Sequence, residues 1–136
     1  MAAKGKNRAE FERWMRQAER DLESARSNAK AGFHEWACFI SQQAAEKALK
    51  AFLYGKGERT VVGHSILALL NRVDRYSPIK KGLKNAKRLD EVYIPSRYPN
   101  GLEEGSPTEF YDHEDAKQCI ELAALVISRV KGQSGT

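Results

Sequence analysis

Cysteine is scarce in this chain: Cys38 and Cys119 are the two in 136 residues, far apart and without CxxC spacing. This excludes a disulfide framework and a zinc site of familiar spacing, and a reducing cytoplasm is the expected compartment. Long hydrophobic runs are missing as well, since nothing approaches the roughly 18 apolar residues of a membrane helix. The first residues, 1–7, are polar and basic with no apolar stretch behind them, so neither a membrane span nor a secretory signal is expected. No segment alternates apolar and polar residues as a half-buried strand does, and there is no internal repeat or low-complexity tract.

What remains is 41% hydrophobic and 30% charged residues, the composition of one domain with its own core. The expected boundaries are 8–131, flanked by flexible tails at 1–7 and 132–136. Lys and Arg number 23 against 18 Asp and Glu, a formal charge of +5, which admits polyanionic partners without naming one.

Steps of three and four place Phe11, Met15, Ala18, Leu22, Ala25 and Ala29 on one face of a helix running from about Arg8 to Lys30. After Gly32, the segment from Phe33 to Tyr54 is apolar on more than one side, as expected of a helix at the centre of a bundle or facing a second subunit. A short helix follows over 64–73 with Ile66, Leu69, Leu70 and Val73 inward. Pro78 opens a helical stretch whose Leu83, Ala86, Leu89 and Val92 share a face. Asp112 offers an N-cap to a last helix over 116–130, with Gly132 as its stop. The fold class expected is all-α, an antiparallel four- to five-helix up-and-down bundle.

Three of the four prolines, Pro95, Pro99 and Pro107, fall between Ile94 and Tyr111. Long loops in compact domains are often functional, and this one holds a lone cation, Arg97, among acidic residues. Its guanidinium either grips phosphate oxygens from a stiffened loop or pairs with Glu103, Glu104 or Asp90. Tyr98 stands beside it. His64 follows Gly63 at a helix start, where an anion would be favoured, although capping the helix is the plainer role. Ser65 has no base partner in sequence. Gln43, Glu46 and Lys47 share a helix face; they either satisfy one another across a dimer or let Lys47 reach a ligand. Trp14 and Trp36 read as core or interface anchors, and the two cysteines as buried apolar groups. His113 lies among acids without metal-ligand spacing, so no metal is expected.

Charge is strongly polarised. Seven cations from Arg72 to Arg88 oppose Asp74 alone, whereas 89–116 holds eight acids and Arg97. The basic stretch is either a phosphate-binding surface or a solvated face whose lysines keep the protein soluble or pair with the acidic loop.

Four strings, WMRQAERDLESA (14–25), FHEWACFISQQAAEKALKAF (33–52), GHSILALL (63–70) and YIPSRYP (93–99), together resemble the prokaryotic HEPN domain over about residues 11–130. The resemblance implies a helical bundle, commonly a homodimer, that binds a nucleotide or RNA and often acts beside a minimal nucleotidyltransferase in toxin–antitoxin pairs. Arg97, His64, Lys47 and Tyr98 are the expected nucleotide- or phosphate-binding residues, with no cofactor. The metal-independent ribonucleases of the family place a His after such an Arg with four to six residues between them. Here Leu102, Glu103 and Glu104 fill those positions, so no catalytic residue is assigned and a binding module is expected. The alternatives are a ribonuclease toxin whose acid–base group lies elsewhere and a purely structural adaptor.

Overall fold

The structure, a computed structural model, describes residues 2–134, with side chains over 7–133. It is built of helix α1 (Ala2–Lys30), α2 (His34–Gly55), α3 (Ile66–Val73), a 3-10 segment (Pro78–Val92), a 3-10 turn (Pro99–Gly101), the single-turn α4 (Pro107–Phe110) and α5 (His113–Ser134). There is no strand among the described residues, and the fold is the all-α bundle expected.

The apolar stripe of α1 is buried as its periodicity demands, with Met15, Ala18 and Ala25 almost inaccessible. At its end Gly32 turns the chain with φ +91°. The Phe33 amide bonds the Asn28 carbonyl (2.8 Å) and the Gly32 amide that of Ala29 (3.1 Å), the pairing of a Schellman cap. This short turn folds α2 back onto α1. Helix α2 is the centre of the molecule, packed against α1, α3, α5 and the 3-10 segment. That position accounts for its wide apolar surface, and Ala37, Ala44, Ala45, Ala48 and Ala51, all fully buried, let its neighbours approach closely.

Three expectations need correction. Pro78–Val92 is a 3-10 helix, bent at Leu83 (φ −122°, ψ 19°), where an α-helix was expected. From the bend onward its buried residues, Leu83, Ala86, Leu89 and Val92, recur every three positions, after a step of four from Ile79; an α-helix would alternate threes and fours, whereas a 3-10 helix eclipses residues at i and i+3. The outer helices also run past their apolar stripes: α1 begins at Ala2 and α5 reaches Ser134 through Gly132. Helical hydrogen bonds propagate beyond the buried turns that nucleate them, and Gly132 does not take the left-handed conformation of a stop. Residues 2–7 and 132–134 of the expected tails are therefore helical, while Met1, Gly135 and Thr136 lie outside the described residues. Finally, the proline-rich loop is not wholly irregular, since it contains Pro99–Gly101 and α4.

Asp112 does cap α5. Its carboxylate accepts from the Asp115 amide (3.1 Å) while that of Asp115 accepts from the Asp112 amide (2.9 Å), a reciprocal capping box. The backbone bond to Asp115 holds the Asp112 carboxyl below its ordinary range.

Candidate functional site

The proline loop is short of side chains that could anchor it, and backbone bonds do that work. Ser96 is buried; its amide (3.2 Å) and hydroxyl both donate to the Val92 carbonyl, an α-type turn that follows the 3-10 segment. The Tyr98 amide then bonds the Ile94 carbonyl at 3.1 Å. Gly101 closes the loop against Pro95: a Cβ there would lie 2.9 Å from the Pro95 Cα.

Between these anchors Arg97 points back at α2. Its Nε donates to the Tyr93 carbonyl at 2.9 Å. The guanidinium carbon lies 4.3 Å from the centre of the Phe39 ring, 4.6 Å from that of Tyr93 and 5.2 Å from that of Tyr98. A cation over an aromatic face gains about 0.5–2 kcal/mol, and a planar guanidinium stacks as well. Among the described residues no carboxylate pairs with Arg97; Glu103, Glu104 and Asp90, the partners considered from sequence, do not reach it. Its position is fixed by rings and a carbonyl, leaving the terminal nitrogens as donors for an anion.

His64 arrives at the same cluster from the start of α3. Its ring stacks on Tyr93, centroids 5.0 Å apart and planes at 19°. Two bonds from α2 hold it: Gln42 Nε2 donates to its carbonyl at 2.8 Å, and its Nδ1 meets Glu46 Oε1 at 3.1 Å. With Nδ1 bonded to the carboxylate, Nε2 of the neutral ring is the nitrogen left for a ligand. Glu46 is buried and is shared with Lys50 at 3.0 Å, so the histidine is fixed by an ion pair inside the protein. Gln42 and Gln43 complete the network, Gln43 Nε2 donating to Gln42 Oε1 at 2.8 Å. The polar face of α2 is thus satisfied within one chain.

The helix start beside His64 is already occupied. Asp90 of the 3-10 segment accepts from the Ile66 amide at 2.6 Å, the Leu67 amide at 3.1 Å and the Ser65 hydroxyl at 3.1 Å. Ser65, the N-cap, accepts from the Ala68 amide. An external anion has no place at this helix end, so the anion site expected there is filled by the protein's own carboxylate.

Lys47 is not part of the cluster. Its ammonium meets Asp21 of α1 at 2.5 Å, in a surface groove lined by Arg13, Trp14 and Gln17. The structure brings together Arg97, Tyr98 and His64 and ties Lys47 to α1. It adds Phe39 and Tyr93, which sequence reasoning passed over although Tyr93 stands four residues before Arg97. Trp36, exposed beside Phe39 (ring centres 6.2 Å), continues the aromatic surface. Among the described residues no three His, Cys, Asp or Glu side chains converge to hold a metal, and no helix is long and apolar enough to cross a membrane.

Known proteins share this architecture. A candidate toxin of Methanocaldococcus jannaschii is 31% identical over 87% of this chain and 84% of that protein. Human sacsin is 29% identical over 92% of this chain, which spans 3% of sacsin's length. Among crystal structures, a protein of Thermus thermophilus superposes with a TM-score of 0.85 at 34% identity, covering 90% of this chain and 96% of that one. An archaeal HEPN homologue gives 0.75 at 42% identity, with 91% and 97% covered. A HEPN domain protein of Thermotoga maritima gives 0.70 at 31%, with 88% and 95% covered. The sequence signature of the HEPN domain itself matches residues 11–133, and the chain belongs to that family.

Proposed function

We propose that this chain is a cytoplasmic HEPN module that binds a nucleotide or RNA phosphate at Arg97, with Tyr98 and His64 beside it. It works as a homodimer with a nucleotidyltransferase partner, in the manner of a toxin–antitoxin pair. The observation that carries the binding site is the setting of Arg97, whose guanidinium is held by Phe39, Tyr93, Tyr98 and one carbonyl while no carboxylate among the described residues neutralises it. Ring faces orient the cation without competing for its charge, and the exposed Tyr98 offers a surface on which a base can stack. The likeness to a candidate toxin supports the toxin side of the reading.

The test is thermal unfolding with ATP, GTP and short RNA. A ligand at 100 times its Kd stabilises the native state by about 2.7 kcal/mol, several degrees in a domain of this size. The shift is expected to vanish in Arg97→Ala and to fall sharply in Arg97→Lys, because an ammonium lacks the planar fork. A full shift in both variants would overturn the site.

A second reading, a metal-independent ribonuclease, rests on one observation: His64 and Arg97 both lie against the Tyr93 ring. In this reading the imidazole absent from the loop comes from the start of α3 and takes the 2′-hydroxyl proton while Arg97 meets the phosphate charge. RNA cleavage that survives EDTA and is lost in both His64→Ala and Arg97→Ala would establish it. Binding without turnover leaves the module.

A further inference from the structure

The basic stretch remains outside this site. Of its seven cations, Arg72 is paired with Glu58 across the α2–α3 connection. Lys81, Lys84, Lys87 and Arg88 are exposed, and among the described residues none forms an ion pair. Pairing with the acidic loop, one of the two plainer explanations of this strip, is not found among the described residues.

The 3-10 geometry arranges these charges. With three residues per turn, side chains at i and i+3 stand in line, about 6 Å apart for a rise of about 2 Å per residue. The buried line is Leu83, Ala86, Leu89 and Val92, so Lys84, Lys87 and Asp90 form a second line. Arg88 and Glu91 form a third, on the side of α5, where both border a cavity with Asp115 and Gln118. A row of cations at this spacing is commensurate with successive phosphates along one nucleic-acid strand. The lysine row ends at Asp90, whose carboxylate is turned toward two amides and a hydroxyl at the start of α3. One residue beyond that hydroxyl is His64, stacked on Tyr93.

We infer that Lys84 and Lys87, with Lys81 and Arg88 flanking them, form a second anion surface that carries the phosphodiester backbone of a single strand toward the Tyr93–Arg97 cluster. Only the end point of that path rests on the phosphate-binding reading of Arg97; the track stands on its own charges. Neutralising phosphates releases counterions, so the interaction weakens steeply with salt.

Binding of a short fluorescein-labelled single-stranded RNA, followed by anisotropy between about 50 and 200 mM salt, tests the track. Each single-strand phosphate contact contributes about 0.7 to the slope of log affinity against log salt, so Lys84→Glu/Lys87→Glu should lower the slope by about 1.4 and the affinity by at least about tenfold. The same variant should keep the thermal shift with ATP. Arg26→Glu/Lys117→Glu, an equal change of net charge on exposed positions of α1 and α5, should leave RNA binding close to wild type. Unchanged affinity and slope in Lys84→Glu/Lys87→Glu would overturn the inference. So would competition by polyglutamate as effective as by unlabelled RNA, which would assign the strip to an acidic protein segment. RNA binding lost in Lys84→Glu/Lys87→Glu but unchanged in Arg97→Ala, with no ATP or GTP shift in the wild type, would uphold the track and remove the Arg97 site.

Discussion

The Asp90 carboxylate sits on the first turn of α3, 2.6 Å from the Ile66 amide and 3.1 Å from that of Leu67. Two of the unpaired donors of a short helix are thus satisfied from a different element, 24 residues away along the chain for the first of these contacts. Asp90→Asn keeps the shape but removes the charge and should cost about 1 kcal/mol; Asp90→Ala should cost about 2 kcal/mol. Thermal or urea unfolding of the two variants measures this. Equal stability of Asp90→Ala and wild type would mean that water replaces the cap at no cost.

Gly101 tests how tightly the loop must close. A methyl group at this position meets the Pro95 backbone rather than a yielding side chain. Gly101→Ala should therefore displace the 95–101 loop and destabilise the protein by about 1–3 kcal/mol. Nucleotide affinity should fall along with stability, since Arg97 lies inside the displaced segment. Retained affinity at lowered stability would show that the guanidinium is positioned by its rings alone.

Glu46 holds both Lys50 and His64 from a buried position. Removing its charge in Glu46→Gln leaves the Lys50 ammonium buried without a counter-charge, a loss of about 3–5 kcal/mol. Lys50→Met introduced into that variant should restore much of the stability, while the Nδ1 contact of His64 stays without its carboxylate charge. Chemical unfolding reads the first effect, and the imidazole NMR signals of His64 the second.

Alkaline stability follows from Tyr111 and Cys38. Burial, reinforced by the neighbouring Cys38 and Cys119, pushes the Tyr111 hydroxyl up to about 12 from an ordinary 10.0. The hydrogen bond to Cys119, followed by burial, raises the Cys38 thiol well above 9.0. Both groups are held neutral in the fold and ionise more readily once unfolded. Their contribution is complete below the unfolded values and lost as pH rises through the folded ones. The melting temperature should fall between pH 9 and 12. Tyr111→Phe should flatten the part of that decline above pH 10.

Much of the bundle was legible because burial writes a period into the chain. The stripe from Phe11 to Ala25 and the broad apolar surface of α2 both appear in the structure as their spacing implies. The 3-10 segment carried an equally clear mark, the strict threes from Leu83 to Val92, but four apolar residues three apart also fit part of an α-helical face. The candidate site was harder to read. Arg97 and Tyr98 stood out by charge and proline context, and His64 by its place after Gly63. Their convergence depends on Phe39 and Tyr93, which lie more than 50 residues apart and resemble ordinary core aromatics. Lys47 illustrates the opposite failure: its position on α2 was correct, but helical spacing alone could not reveal that Asp21 would claim it.

The three-residue repeat from Leu83 to Val92 makes the segment sensitive to insertions and deletions in an uneven way. Each residue advances a 3-10 helix by about 120°, so losing one between Leu83 and Val92 would turn lysines into the core and leucines toward water. Losing three would shorten the segment by about 6 Å and keep every remaining side chain on its own face. Length variation compatible with this fold is therefore expected in whole turns of three.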